Sequence, residues 1–341
     1  MPDNNERLTS SEISNLWTHY IRETMQICVT KYFLQIIKDP EIHKIYTLAL
    51  EMSENHVIKI RDIFHKENFP IPKGFTKEDV NLHAPPLFTD AFSIFYIHTM
   101  TMHGSQAYNL AFSVSIRKDI RDFYYQCNLD TMDLYNKSFD VMQSKQLYDK
   151  PPFYETPSNV SFINSLNYVT DVLGERRKMN SIESGNIFFN LQKSLIAKAC
   201  FFAFNQVCKD KEINHFINKC INRKNKHIGV FSNLLLKEDL HSPRALEPEV
   251  VKSTISPFSD KLMLFHSGFL IAAAISYYGS AIVTSIRADI TFHCEKAIFD
   301  DLLLYGVFGK LLIKKKWLEQ PPFADDRKLV SETGKRNQGS F

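Results

Sequence analysis

Glycine is scarce in this chain: 11 of 341 residues, against 27 phenylalanines and 14 tyrosines. No Gly-rich run of the kind that cradles a phosphate occurs. The six cysteines (Cys28, Cys127, Cys200, Cys208, Cys220 and Cys294) form no Cys-x-x-Cys pair and no metal-ligand spacing, which excludes a zinc ribbon or a dithiol redox motif. Charge of one sign is lacking too. Forty-one Lys and Arg balance 38 Asp and Glu, for a net +3, too little for a dedicated nucleic-acid binder. No Ser-His-Asp arrangement stands out. The polar opening, Met1 to Glu12, has no apolar run, so the expectation is a chain without a signal peptide, with reduced cysteines, in the cytoplasm. What remains is a hydrophobic share of 44%, enough for packed cores and against bulk disorder.

What the sequence does have is an internal duplication, the first thing to look for in a chain of this length. A shift of 171 residues lays 8–72 on 179–243, matching Glu12 with Glu183, Phe33 with Phe204, Asp39 with Asp210 and His56 with His227. A shift of 170 then lays 85–153 on 255–323. It matches Asp90 with Asp260, Tyr108 with Tyr278, Ser115-Ile116-Arg117-x-Asp119 with Ser285-Ile286-Arg287-x-Asp289, and Pro151-Pro152-Phe153 with Pro321-Pro322-Phe323.

Each repeat reads as four helices. Leu16, Tyr20, Val29, Phe33 and Ile36 recur at the three-to-four spacing of a core-facing stripe. Asp39-Pro40-Glu41 stops one helix and starts the next, because Asp caps, Pro suits the first helical position and Glu complements the positive helix end. Helix two runs to about Asn68, a long loop follows, helix three spans roughly Thr89 to Val114, and helix four ends before Pro151. Ser115 and Ser285 are the expected caps of helix four. Short, long and short connections describe a four-helix bundle with one crossover, ferritin-like in kind. The expected fold class is therefore all-α, two tandem ferritin-like four-helix bundles from an internal duplication. The first occupies 8–150 and the second 179–323, with a linker at 151–178 packed along the bundles and a flexible tail at 324–341.

A ferritin-like layout raises the question of a di-metal carboxylate site, which needs a Glu from each of two helices and an inward-facing Glu-x-x-His from each of the others. Helix three carries no carboxylate from Ala91 to Ile116, nor from Lys261 to Ile286, and the expectation is that the bundles hold no Glu-x-x-His. Asp62-x-x-His65 and Asp289 with His293 are unmatched approximations. The expectation is no metal and no cofactor, with no catalytic residue to name. His56 and His227 are the imidazoles retained in both repeats; they are the weak metal or proton-transfer candidates, and a structural tie is the expected role. His98 and His103 stand five residues apart, on different faces of helix three. Arg117/Asp119 and Arg287/Asp289 read as structural corners at the start of helix four.

The uncharged stretches Ala91–Ile116 and Leu262–Ile286 have the length of a membrane span. Their His, Ser, Gln and Asn content, and their recurrence at one place in both repeats, predict helices buried on all sides instead, with helix three of one repeat against the other repeat.

Several motifs carry a family resemblance. These are Leu8-Thr9-x-x-Glu12-x-x-x-Leu16-Trp17-x-x-Tyr20, Pro72-x-Gly74-Phe75-Thr76-x-x-Asp79-Val80, Leu87-Phe88-x-Asp90, Ser115-x-Arg117-x-Asp119 and Trp317-Leu318-x-x-Pro321-Pro322. Together they resemble an uncharacterised family of spore-forming bacteria, tandem ferritin-like bundles related to the spore coat protein F group. The resemblance implies a non-enzymatic structural or interaction protein with protein partners or self-association, associated with sporulation or the spore coat. The alternative is a ferritin-like protein with a non-standard metal or small-molecule site in the bundle core.

Overall fold

The computed structural model describes residues 7–169 and 177–323. Among them are eight α-helices, three short 3-10 turns and no β-strand beyond two isolated bridges. The helices are α1 (Ser10–Ile36), α2 (Pro40–Lys66), α3 (Asp90–Val114), α4 (Lys118–Ser144), α5 (Ser181–Val207), α6 (Lys211–Leu236), α7 (Asp260–Thr284) and α8 (Ala288–Lys314). The protein is all-α, two four-helix bundles in tandem. The expected tail at 324–341 and residues 170–176 of the expected linker lie outside the described residues.

Local chemistry at the helix ends is repeated in both halves. Thr9 and Asn180 open α1 and α5 with capping boxes closed by Glu12 and Glu183. Asp39 and Asp210 accept from the second and third backbone N–H groups of α2 and α6. Lys211 stands where Pro40 does, so the Asp cap alone suffices. Asp90 and Asp260 reach back to the N–H groups of residues 38–39 and 209–210, fixing each third helix against the first corner. α2, α4, α6 and α8 all end on a left-handed residue that is not glycine: Asn68, Gln146, Asp239 and Lys316. Each is followed by a backbone bond back into the last turn, as from Phe69 to Phe64.

The fourth helices are the exception. Ser115 does not cap α4: its hydroxyl bonds the Ala111 carbonyl, and Arg117 and Arg287 hold the cap positions without a side-chain bond. The first helix supplies the missing acceptor. Glu12 takes the N–H groups of Ile116 and Arg117 at 2.9 and 2.8 Å, and Glu183 takes that of Arg287 at 3.1 Å.

The halves are related by a pseudo-twofold axis, because residues at the same repeat position touch each other. Tyr96 meets His266 at 3.3 Å, and Gln106 donates to Ser276 at 2.9 Å. Both pairs are 170 apart in sequence and lie ten residues from each other along the helices. α3 and α7 therefore run side by side along the axis. The long loops pair reciprocally across it: Val80 bridges Phe258, and Phe88 bridges Val250. Asp79 accepts from Ser259, the cap of α7, while Glu249 accepts from Thr89, the cap of α3. One apolar core crosses the axis, with Tyr32 against Phe258 and Phe75 against Phe265, and a smaller core fills the far end of each bundle.

Helix three is buried all round only over its N-terminal part, Phe92–Thr99 in α3 and Leu262–Gly268 in α7. There it sits on the axis beneath the paired loops. Beyond them one face opens, so that Leu110 is 61% exposed and Val283 82%. Two helices, α5 and α7, are long and apolar enough to cross a membrane by length and composition, and 72% and 67% of their apolar windows are buried inside the protein. Residues 151–169 run over the surface largely exposed, tied down where Tyr154 bonds Ser184 and Arg177 covers the Tyr168 ring.

Candidate functional site

Each bundle has a buried polar layer between the shared core and its distal core, and the retained histidine is part of it. In the first half, His56 on α2 has a carboxylate on either side. Nδ1 lies 3.2 Å from Glu23 Oε1 on α1, and Nε2 lies 3.6 Å from Asp130 Oδ2 on α4. The Tyr108 hydroxyl from α3 donates to the same Glu23 oxygen. Burial pushes the His56 pKa down, but Glu23 and Asp130 outweigh it, and the net shift is upward. Burial likewise pushes Glu23 up, and His56, Tyr108 and Ser53 more than reverse it. Each partner thus favours the charged form of the other.

The second half keeps the histidine, the tyrosine and the aspartate beside the histidine Nε2 (Asp300 for Asp130) and changes the rest. Ser194 replaces Glu23, Lys224 replaces Ser53 and Asp301 replaces Thr131. Lys224 Nζ sits 2.7 Å from Asp301 Oδ2, and both side chains have no exposed surface. Burial alone would push the Lys224 ammonium down, yet Tyr278 and Asp301 hold it above its ordinary value. Burial pushes Asp301 up against the pull of Lys224 and Arg223. His227 bonds the Tyr278 hydroxyl at 3.2 Å, and Tyr278 in turn meets Ser194 at 3.1 Å. Burial, then Lys224 and Arg223, depress His227 to about 3, so its ring is neutral at pH 7. The buried acid has moved from the first helix to the fourth, and the buried cation from an imidazole to an ammonium.

The other sequence candidates stay apart. His98 bonds Ser138 on α4 at 3.0 Å, whereas His103 stacks beside Tyr277 of the other half. Asp62 and His65 sit at the exposed end of α2. Asp289 binds Arg287. Contrary to expectation, the second half contains two Glu-x-x-His sequences, Glu212 to His215 and Glu238 to His241, at the two ends of α6. Both histidines are exposed, and the glutamates bind Lys314 and Arg287. Arg117 binds Glu67 and Asp119, and Arg287 binds Glu238 and Asp289, so the corners are structural. No group of three His, Cys, Asp or Glu side chains with the geometry to hold a metal occurs among the described residues.

Sequence reasoning missed Glu23, Asp130, Lys224, Asp300 and Asp301. One signal was available: Lys224 stands on the buried stripe of α6, three residues before His227, where a solvated lysine has no place.

A cavity of about 550 Å³ lies beside the first-half cluster, bounded by α1, α2, α3 and α4 and by α7 of the other half. Glu23 and Tyr108 form part of its wall.

No curated protein matches the chain significantly. A crystal structure of a provisionally named spore coat protein from Bacillus halodurans C-125 is similar at 18% identity and a TM-score of 0.42, over 44% of this chain and 98% of that one. Residues 1–160 and 167–330 each match one and the same family, described as a protein of unknown function, DUF3231.

Proposed function

Because the chain belongs to the DUF3231 family, matched once by each half, we propose that it is a non-enzymatic, metal-free interaction protein made of two ferritin-like domains, 8–150 and 179–323. The observation that carries this reading is the Lys224–Asp301 ion pair. Ferritin-like di-metal bundles place a Glu on each of two helices and a Glu-x-x-His on each of the others, all pointing inward. Here the inward i, i+3 pair on the second helix is Ser53-x-x-His56 in one half and Lys224-x-x-His227 in the other. An ammonium at 2.7 Å from the one fully buried carboxylate of the second cluster neutralises the charge that a metal would. In the first half a carboxylate stands on either side of the imidazole, and both favour its protonated form, which has no lone pair to give a cation.

On this reading the repeated architecture serves contact with other macromolecules, in or around the spore. The setting comes from the sequence resemblance to families of spore-forming bacteria, and the near-neutral charge favours protein over nucleic-acid partners. Protein purified from iron- and manganese-replete cells is expected to hold far less than one metal ion per chain by elemental analysis, with an unfolding temperature unmoved by chelator. About two ions per half, as in di-metal bundles, would defeat the reading.

A further inference from the structure

We propose that the first half carries a binding site for a small organic monocarboxylate, its charged end on Arg22 and its apolar body in the 550 Å³ cavity. This inference stands on its own observations and not on the metal-free reading. The cavity has the size of a ligand pocket, about 300–1,000 Å³. Met25, Met52, Ile97, Met100, Leu134 and Phe269 supply most of its apolar wall, and methionines adapt to irregular ligands.

The polar groups in that wall are incomplete. Arg22 has no carboxylate partner among the described residues; its guanidinium lies 4.8 Å over the Phe269 ring of the other half, and its buried Nε makes no hydrogen bond. A guanidinium without an anion at a water-poor site is costly. The neighbouring Glu23 does not serve, since its carboxylate is committed to His56 and Tyr108. His103, a second residue of the wall, also has a buried nitrogen, Nε2, with no partner. Glu23 is paired with His56, which leaves Arg22 as the charged wall residue without a counter-ion among the described residues. One guanidinium and one neutral imidazole match a monoanion; a phosphate dianion would retain uncovered charge. The mouth opens at Asn109, Leu110 and Ser113, exposed residues of α3.

The second half does not repeat this site. Lys193 replaces Arg22, and its ammonium rests 3.2 Å from Met102 Sδ, with burial lowering its pKa to about 7. Arg223 and Lys224 stand where Met52 and Ser53 line the first-half cavity, and the pocket that Lys193 lines measures only about 140 Å³. The stoichiometry is therefore one ligand per chain.

Titration calorimetry of the full chain with octanoate tests the assignment, with 1-octanol as the neutral analogue. Octanoate is expected to saturate one site per chain and to bind at least about tenfold more tightly than octanol, as a charge-assisted contact predicts. Arg22→Gln should erase that preference, Arg22→Lys should retain part of it, and Ala273→Trp, placed in the wall from α7, should block both ligands. Helical circular dichroism checks each variant. Where a variant does not fold, saturation-transfer NMR on the unmodified protein compares the two ligands directly. Absence of saturable octanoate binding up to about 10 mM, equal affinity for octanol, or undiminished binding by folded Arg22→Gln would each overturn the proposal.

Discussion

Lys224→Met should cost about 3–5 kcal/mol, the range for breaking a fully buried ion pair from one side, and lower the unfolding temperature by on the order of 10 °C. The cost does not come from the loss of an attraction alone. Lys224 and Asp301 have no exposed surface, and the lysine is the donor bonded to the Asp301 carboxylate. Its removal strands a carboxylate whose other oxygen already lacks a hydrogen bond. The same logic gives a control. Lys224→Met combined with Asp301→Leu removes both charges and should recover most of the loss, since replacing a buried pair by apolar residues is often neutral or better. Denaturant unfolding of the two variants measures the difference. A single variant as stable as the unmodified protein would mean that water reaches the pair.

Glu12→Ala should destabilise the first half by about 2–4 kcal/mol, because one carboxylate closes two helix starts at once. Glu12 is fully buried and accepts from the Thr9 backbone and hydroxyl at 2.8 and 2.9 Å and from the N–H groups of Ile116 and Arg117. Alanine leaves the entrance of α4 without an acceptor; Glu12→Gln keeps one oxygen and should cost less. Burial pushes the Glu12 and Glu183 carboxyls up, but hydrogen-bond donors outweigh it and both end below the ordinary 4.5. A depressed carboxyl pKa gives stability that is complete above the unfolded value and drains away as pH falls through the folded one. Acid unfolding below about pH 4.5 should therefore be blunted in Glu12→Ala, because that variant has already lost the contribution.

These corners explain what the sequence made legible. Asp39/Asp210, Asp90/Asp260, Glu12/Glu183 and Arg117/Arg287 repeat in register because each satisfies particular backbone N–H groups or holds a fixed corner, and few other side chains can do so. Identities of that kind reveal the four-helix repeat and its boundaries. They carry less about how the halves dock, since a twofold and a translation give the same column-by-column matches. The twofold lies in contacts such as Tyr96 with His266, which pair unlike residues from one column. The Ser115 expectation failed for a related reason: the rival acceptor, Glu12, is 104 residues from the Ile116 N–H that it takes.

The polar layers were half legible. His56 and His227 stood out as a retained pair, and so did Tyr108 and Tyr278. The buried carboxylates Glu23 and Asp301 did not, because that acid changes helix between the repeats; Asp130 and Asp300 do match in register beside the histidines. In alignment, Glu23 against Ser194 and Thr131 against Asp301 read as two unrelated losses. In space they are alternative ways of placing one negative charge in the same layer.

This arrangement closes each bundle core with its own opposed charges, set differently in the two halves. It requires His56 and His227 to titrate in opposite directions. A raised histidine pKa gives stability that is complete below the unfolded value of 6.5 and is lost as pH rises through the folded value. A histidine depressed to about 3 instead costs stability as pH falls from 6.5 toward that value. Long-range proton–nitrogen NMR of the imidazoles, assigned with His56→Gln and His227→Gln, reads both directly. At pH 7 His56 should be imidazolium and His227 neutral imidazole, both unchanged by added iron or manganese. Two neutral rings at pH 7, a shared ordinary pKa, or a His56 signal displaced by metal would contradict it.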